Sequence, residues 1–270
     1  TIQAAQRRRK ALFVLYIDLA TFFPSINRKS LSVAEVFAGI PQEVQQLAWR
    51  IYGRADDRDD GVRCRYDTAA GLSPPVKFYM GALMGDVLSP DKAKLLLHSV
   101  IAAIHLHCKG VGVFGEETQR RLEQAAYADD WVGMFESEAD LQEAWKIWST
   151  WTLASGCRLG IKKKSKTVVT GVRWKGSKPM SIEDPRLTTA DGQRVPFIRH
   201  DEAYKHLGSW RCASGAEKVA WKELRAHFRR ALAQLKKLPP CSPYEYMLVS
   251  DALLGGIAGY YLSFQYISFQ

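Results

Sequence analysis

An α+β fold, an antiparallel sheet with helices on one side, is predicted by two features of the sequence. Its strand-like and helix-like segments run in the order β, αα, β, α, ββ, α, β, β, α, which lacks the strict alternation of a parallel βαβ sheet. Two strand segments share one stretch, "AAYADDWVGMF", with room only for a tight turn between them, and tight turns join antiparallel neighbours. At 270 residues, 47% of them hydrophobic, the chain can bury a substantial core.

"ALFVLYIDLATFF" opens with an apolar β-type run, which predicts a buried strand ending near Asp18. "SLSVAEVFAGIPQEVQQLAWRIYG" predicts two helices broken at Gly39-Ile40-Pro41. "RADDRDDGVRCRY" is a charged loop rising into a strand, its aspartates interleaved with arginines as in a solvated turn. "SPDKAKLLLHSVIAAIHLH" is a strong helix with Pro90 in its opening turn behind Ser89. "SEADLQEAWKIWSTWTLASGC" is an amphipathic helix with Ser137 as N-cap and Gly156 near its end, and Trp145, Trp148 and Trp151 read as packing residues. "RLGIKKKSKTVVTGVRW" is a basic strand segment, and "LTTADGQRVPFI" places Asp191-Gly192 at a hairpin turn. "AEKVAWKELRAHFRRALAQLKKL" is a basic helix stopped by Pro239-Pro240, and "MLVSDALLGGIAGYYLSF" reads as a buried helical segment.

A formal charge of +10 and a pI near 9.4 favour a polyanionic partner, nucleic acid being the commonest. The five cysteines form no C-x-x-C pair, which argues against a zinc ribbon or disulfide framework and suits a reducing, intracellular compartment, nucleus or cytoplasm. His105 and His107 stand in an apolar run and read as packing or surface residues. "TIQAAQRRRK" is not followed by a signal-peptide pattern, "RRRK" reads as a solvated basic turn, and no uninterrupted apolar run is long enough for a membrane span.

Two adjacent aspartates, Asp129 and Asp130, interrupt the apolar hairpin, and Asp18 ends an apolar strand. If those strands are neighbours, three carboxylates converge at one sheet edge. Such a cluster is costly without divalent cations, and its hard oxygen donors suit Mg²⁺ completed by water and substrate phosphates. Two such ions support in-line phosphoryl transfer. This combination suggests a polymerase palm, and a solvated tight turn at Asp129-Asp130 is the other reading of the residues alone.

The motifs also resemble a known family. "YIDLATFFPSI" resembles motif A of reverse transcriptases, "MGDVLSPDKAKLLLHSV" motif B, "YADD" the Y-x-D-D box of motif C, "GCRLGIKKKSKTVV" motif D and "AYKHLGSW" motif E. All five stand in the family order between residues 14 and 210, in a style most like non-LTR retrotransposon enzymes, with group II intron and retron relatives close beside them. The resemblance implies a right-hand polymerase: palm from 1–27 and 84–210, partial fingers from 28–83, and a truncated helical thumb portion from 211–270.

It also implies the residue roles. Asp18 and Asp129 would be the main ligands of two Mg²⁺ ions (Mn²⁺ as substitute), with Asp130 an auxiliary acid and the Leu19 carbonyl completing one shell. Phe23 would hold the deoxynucleotide sugar. Gly85, Ser89 and Pro90 would shape the floor under the templating base pair. Lys166 would serve the departing pyrophosphate, with Lys162, Lys163 and Lys164 as neighbours. Lys205, His206, Leu207 and Gly208 would form the primer grip, and Lys222, Arg225, Arg229 and Arg230 would track the duplex phosphates. The implied partners are an RNA template, a DNA or RNA primer and deoxynucleoside triphosphates. Met84 departs from the usual Gln, and only 17 residues precede Asp18, so the first fingers strands are expected to belong to a longer polypeptide. A catalytically defective palm acting as a nucleic-acid scaffold is the rival reading. An RNA-dependent RNA polymerase is a second, disfavoured by Phe23.

Overall fold

The computed structural model describes residues 8–52, 62–65, 67–69, 71–78, 81–82, 88–112, 121–127, 129–161, 166–207, 209–215, 218–240 and 242–257. In chain order the strands are β1 (Leu12–Ile17), β2 (Leu19–Ala20), β3 (Val62–Cys64), β4 (Asp67–Thr68), β5 (Gly71–Leu72), β6 (Val76–Phe78), β7 (Val111–Gly112), β8 (Arg121–Leu122), β9 (Gln124–Tyr127), β10 (Asp130–Phe135), β11 (Arg158–Leu159), β12 (Val168–Lys175), β13 (Lys178–Ser181), β14 (Tyr204–His206) and β15 (Ser209–Arg211). The helices are α1 (Phe22–Ser25), α2 (Arg28–Phe37), α3 (Gln42–Tyr52), α4 (Ser89–His107), α5 (Glu138–Ser155), α6 (Lys218–Leu235) and α7 (Pro243–Ser250), the last running into a π-helical turn at Asp251–Gly255.

The central sheet has the order β13-β12-β1-β10-β9, and every pairing in it is antiparallel. Strand β1 is apolar throughout because both of its faces are covered. Leu15 and Ile17 join Trp131, Phe135 and Val169 under α4 and α5, where Leu96, Leu97, Val100, Leu141 and Trp148 complete the core. Leu12, Val14 and Tyr16 join Val132, Met134, Val168 and Val172 on the other face, covered by Ile198, Tyr204 and Ala213. Helices α4 and α5 cover one face, and irregular chain with the β14–β15 hairpin covers part of the other. Gly133 lies between two large rings: a Cβ there would stand 2.3 Å from Trp131 and 2.8 Å from Phe135.

Helix ends follow the local chemistry. The Ser137 hydroxyl accepts the Asp140 N–H at the start of α5, and Gly156 closes it at φ +73°, a left-handed conformation that favours glycine. Pro90 occupies the first turn of α4. Lys92 of α4 pairs with Glu35 of α2 at 3.5 Å, both largely shielded from solvent. Trp145 and Trp148 are buried and Trp151 bonds Ser99, so the tryptophans of α5 pack rather than present a stacking platform.

Several sequence expectations need correction. The basic segment 158–174 is two strands: β11 pairs with β2, and β12 with β1. Strand β13 was not expected; Pro179 and alternate exposed residues mark it as an edge strand. The turn at Asp191-Gly192 forms, with Gly192 at φ +78°, but a single Thr188–Arg194 bridge flanks it in place of a strand pair. Residues 243–250 are helical yet contain no buried residue, with Tyr244 at 65% and Met247 at 57% exposure, so that stretch is not a core helix. The four aspartates of the 54–66 loop lie outside the described residues. Among the described residues no helix is long and apolar enough to cross a membrane.

Candidate active site

Asp18 sits where the chain changes partners, since β1 pairs with β12 and β2 pairs with β11. Continuing the registers Ile17↔Trp131 and Tyr16↔Val168 by one and two residues sets Asp18 opposite Asp130 on one side and Lys166 on the other. Directly opposed residues share a face, and this is the face away from α4 and α5. Asp18 is 9% exposed. Its Oδ1 accepts a bond from Lys166 Nζ at 2.6 Å.

The backbone of Asp18 is held from both sides. The Thr167 hydroxyl accepts the Asp18 N–H and donates to the Asp18 carbonyl, each at 3.2 Å. The Gly160 N–H also donates to that carbonyl, and the Thr167 N–H donates to the Gly160 carbonyl. A side chain at 160 would press on the carboxylate, because a Cβ there falls 2.5 Å from Asp18 Oδ2. Neither Gly160 nor Thr167 was singled out in the sequence. Both become legible only once β2 and β11 are known to pair.

Asp129 stands in the turn between β9 and β10, and Asp130 opens β10, paired with Tyr127. Both are half-buried. Burial first, then the Asp129 and Asp18 charges, push the Asp130 carboxyl above its ordinary value, with Lys166 opposing them. The bond to Asp18 holds the Lys166 ammonium above the ordinary lysine value, and all three carboxylates add to that effect. Among the described residues, three carboxylates and one lysine thus share one field.

The donors fit a hard cation, in that all are oxygens and, among the described residues, Asp18 Oδ2 is buried without a hydrogen-bond partner. Among the described residues, however, no three acidic, His or Cys side chains close into a metal cage. A cation here would need water or substrate oxygens to complete its shell. Leu19 is buried, and because Asp18 directs its carbonyl to Gly160, strand alternation turns the Leu19 carbonyl to the other side.

The family model described as reverse transcriptase (RNA-dependent DNA polymerase) matches residues 1–209, which include Asp18, Asp129, Asp130 and Lys166. The chain belongs to the reverse transcriptase family. No curated protein matches it. Among solved structures it is similar to apo telomerase from Candida tropicalis truncated from its C-terminal domain, at 16% identity and a TM-score of 0.45, over 67% of this chain and 37% of that one. It is also similar to telomerase from Candida albicans in complex with a TWJ fragment of telomeric RNA, at 13% identity and a TM-score of 0.45, over 100% of this chain and 43% of that one. The chain therefore spans less than half the length of either structure.

The remaining predicted residues of this reverse transcriptase domain fall into three groups. The first comprises Phe23, the residues of 84–90 and Lys162 to Lys164. Past Ala20 the strand gives way to Thr21 at φ +48° and then to helix α1, so Phe22 and Phe23 do not alternate as strand residues do. Phe22 is buried at 3% exposure, whereas Phe23 is half-buried with its carbonyl bonded to the Ala82 N–H. Ser89 is buried and Pro90 exposed, while Gly85 and Met84 lie outside the described residues, as do Lys162 to Lys164.

The second group is the β14–β15 hairpin, whose residues divide between its two faces. Tyr204 and His206 turn towards Tyr16, the Tyr204 ring stacking on it at 4.1 Å and the His206 ring lying 5.3 Å from it. Burial, then Arg211, hold the His206 imidazole below its ordinary pKa. Lys205 is exposed on the opposite face with Nζ 6.0 Å from the Trp210 ring. Lys205 and His206 therefore cannot grip one strand as a continuous row. Leu207 adopts φ +47° at the turn, and Gly208 lies outside the described residues.

The third group is helix α6. Lys222, Arg225 and Arg229 line a groove of about 410 Å³ together with Lys218 and Trp221. Arg230 is not among its lining residues. At 100° per residue it is turned about 80° from Lys222.

Proposed function

We propose that the chain is the RNA-directed DNA polymerase core of a retroelement, of the non-LTR or group II intron type, adding deoxynucleotides to a primer 3′-hydroxyl on an RNA template. The observation that carries this reading is the meeting of Asp130, Asp18 and Lys166 at one end of strands β10, β1 and β12, with Asp129 at the turn beside it. In this reading residues 1–27 and 84–210 are the palm, 28–83 part of the fingers and 211–270 part of a thumb. Membership of the reverse transcriptase family supports it.

Asp18 and Asp129 would hold two Mg²⁺ ions, with Asp130 and the Leu19 carbonyl assisting. When bound, these ions supply charge stabilisation at the attacking and leaving oxygens. The primer 3′-hydroxyl gives up its proton to water as its oxygen bonds to the α-phosphorus and the bond to pyrophosphate breaks. Lys166, kept protonated beside the three carboxylates, would donate to the leaving pyrophosphate. Phe23 packs against the sugar and excludes a 2′-hydroxyl, while the groove on α6 follows the duplex phosphates.

Asp129→Asn tests the reading. Metal stabilisation is worth several kcal/mol, and each increment of about 1.36 kcal/mol is tenfold in rate. Mg²⁺-dependent primer extension should therefore fall by about a thousandfold or more while duplex affinity stays near the parent's. Equal extension by both proteins would refute the assignment. Duplex binding without extension by the parent itself would favour a nucleic-acid-binding scaffold.

A further inference from the structure

We propose that Tyr204 is a positioning residue that ties the β14–β15 hairpin to the Asp18 carboxylate through the Lys166–Thr167 segment. The significance of Asp18 rests on the polymerase reading; the tether itself is geometric. The Tyr204 hydroxyl donates to the Lys166 carbonyl at 2.7 Å. Lys166 lies two steps beyond the last ladder pair of β1 with β12, Tyr16↔Val168, so this bond holds the segment where the sheet has ceased to. From there Lys166 Nζ reaches Asp18 Oδ1, and the Thr167 hydroxyl clasps the Asp18 backbone.

A second arm closes the circuit. The Tyr204 ring stacks on Tyr16 at 4.1 Å with planes 23° apart, and Tyr16 is two residues before Asp18 on the same face of β1. Tyr204 therefore touches both segments that fix Asp18: the strand that carries it and the segment that brackets it. Burial and the Asp130 and Asp18 charges keep the phenol protonated, so it remains a donor. Phenylalanine would preserve the stack but not the bond. A nucleic-acid strand that shifts the hairpin would, through this circuit, also shift Asp18. Seating of the hairpin and placement of the carboxylate are then one event.

The test compares Tyr204→Phe, Thr167→Val and Thr167→Ser with the parent chain. Three readouts apply: amide hydrogen exchange at Asp18 and Gly160, Mn²⁺ affinity by electron paramagnetic resonance, and the extension rate against the nucleotide KM. Loss of one net hydrogen bond should speed exchange at Asp18 about fivefold in Tyr204→Phe while leaving Leu15, mid-strand, unchanged. Mn²⁺ affinity should weaken severalfold, and the extension rate should fall with the KM unchanged. Thr167→Val should reproduce the effect at Asp18, and Thr167→Ser should restore parental behaviour. Parental exchange at Asp18 in Tyr204→Phe would overturn the tether, as would faster exchange spread evenly over the sheet, which is ordinary destabilisation. A parent that neither binds Mn²⁺ nor extends a primer would overturn the polymerase reading, while the exchange comparison would still decide the tether.

Discussion

Replacing Gly160 by alanine should damage the site far more than the fold. The glycine is needed for space, since a Cβ at 160 would fall 2.5 Å from Asp18 Oδ2, where ordinary contact begins at 3.4 Å. The carboxylate must therefore retreat by about 0.9 Å, or the bond from Lys166 must lengthen to let it turn. Oδ2 has no hydrogen bond to lose, so the cost in stability is small, about 1 kcal/mol for modest overpacking. The cost in catalysis is larger, because a misplacement of about 1 Å in a reacting constellation can lose on the order of a hundredfold in rate. We expect Gly160→Ala to melt within about 4 °C of the parent, to bind template-primer normally, and to extend it about a hundredfold more slowly, with weakened Mn²⁺ affinity. Steady-state extension, a thermal melt and a Mn²⁺ titration on the same preparation check this. Extension within twofold of the parent, at unaltered Mn²⁺ affinity, would refute the reasoning, since Asp18 Oδ2 could then not be a working ligand.

Three further outcomes follow from the same geometry. Asp130 titrates above its ordinary value in the folded chain, so it withdraws stability as pH rises from the unfolded aspartate value through the raised folded one. In EDTA at pH 7, Asp130→Asn should therefore melt about 1–3 °C above the parent, a figure reduced for solvent screening. The gap should close below about pH 4; an Asn variant less stable than the parent at pH 7 would contradict it. Phe23→Ala should admit ribonucleotides, read by matched ribo- and deoxyribonucleotide insertion, whereas Phe22→Ala should cost about 3 kcal/mol of stability and leave sugar choice alone; the reverse pattern would exchange the two assignments. Substituting Lys222, Arg225 or Arg229 by alanine should each lower the slope of log duplex affinity against log salt by about one, and Arg230→Ala should not; equal effects at all four would show that the groove is not the contact surface.

How much of this was readable beforehand depended on how local the cause was. The hairpin around Asp129, the caps at Ser137 and Gly156 and the Pro90 helix start are decided within a few residues, and the structure has them where the sequence places them. Strand β13 was missed because Lys-Pro-Met-Ser has poor β-propensity, and its strand character comes from pairing with β12. Helix α7 was misjudged because apolar residues all round a helix ordinarily signal burial, yet among the described residues nothing covers Tyr244 or Met247. Gly160 and Thr167 illustrate the same limit at the site. Each acts on Asp18 across some 150 residues of chain, through a change of strand partners that no local pattern announces.

The packing of β1 also explains how the protein tolerates its own acidic cluster. A carboxylate oxygen buried without a partner and a second carboxylate opposite it both oppose folding. What holds them is β1, packed on both faces. Slipping β1 by one residue would turn Asp18 into the cluster of Trp131 and Trp148 and carry Ile17 to the acidic edge. Both displacements are more costly than the strain they would relieve, since one buries a charge among indoles and the other exposes a core aliphatic. The register that serves the core is therefore the register that aligns Asp130, Asp18 and Lys166. Changes to Leu15 or Ile17 that loosen it should disturb the site before they unfold the sheet.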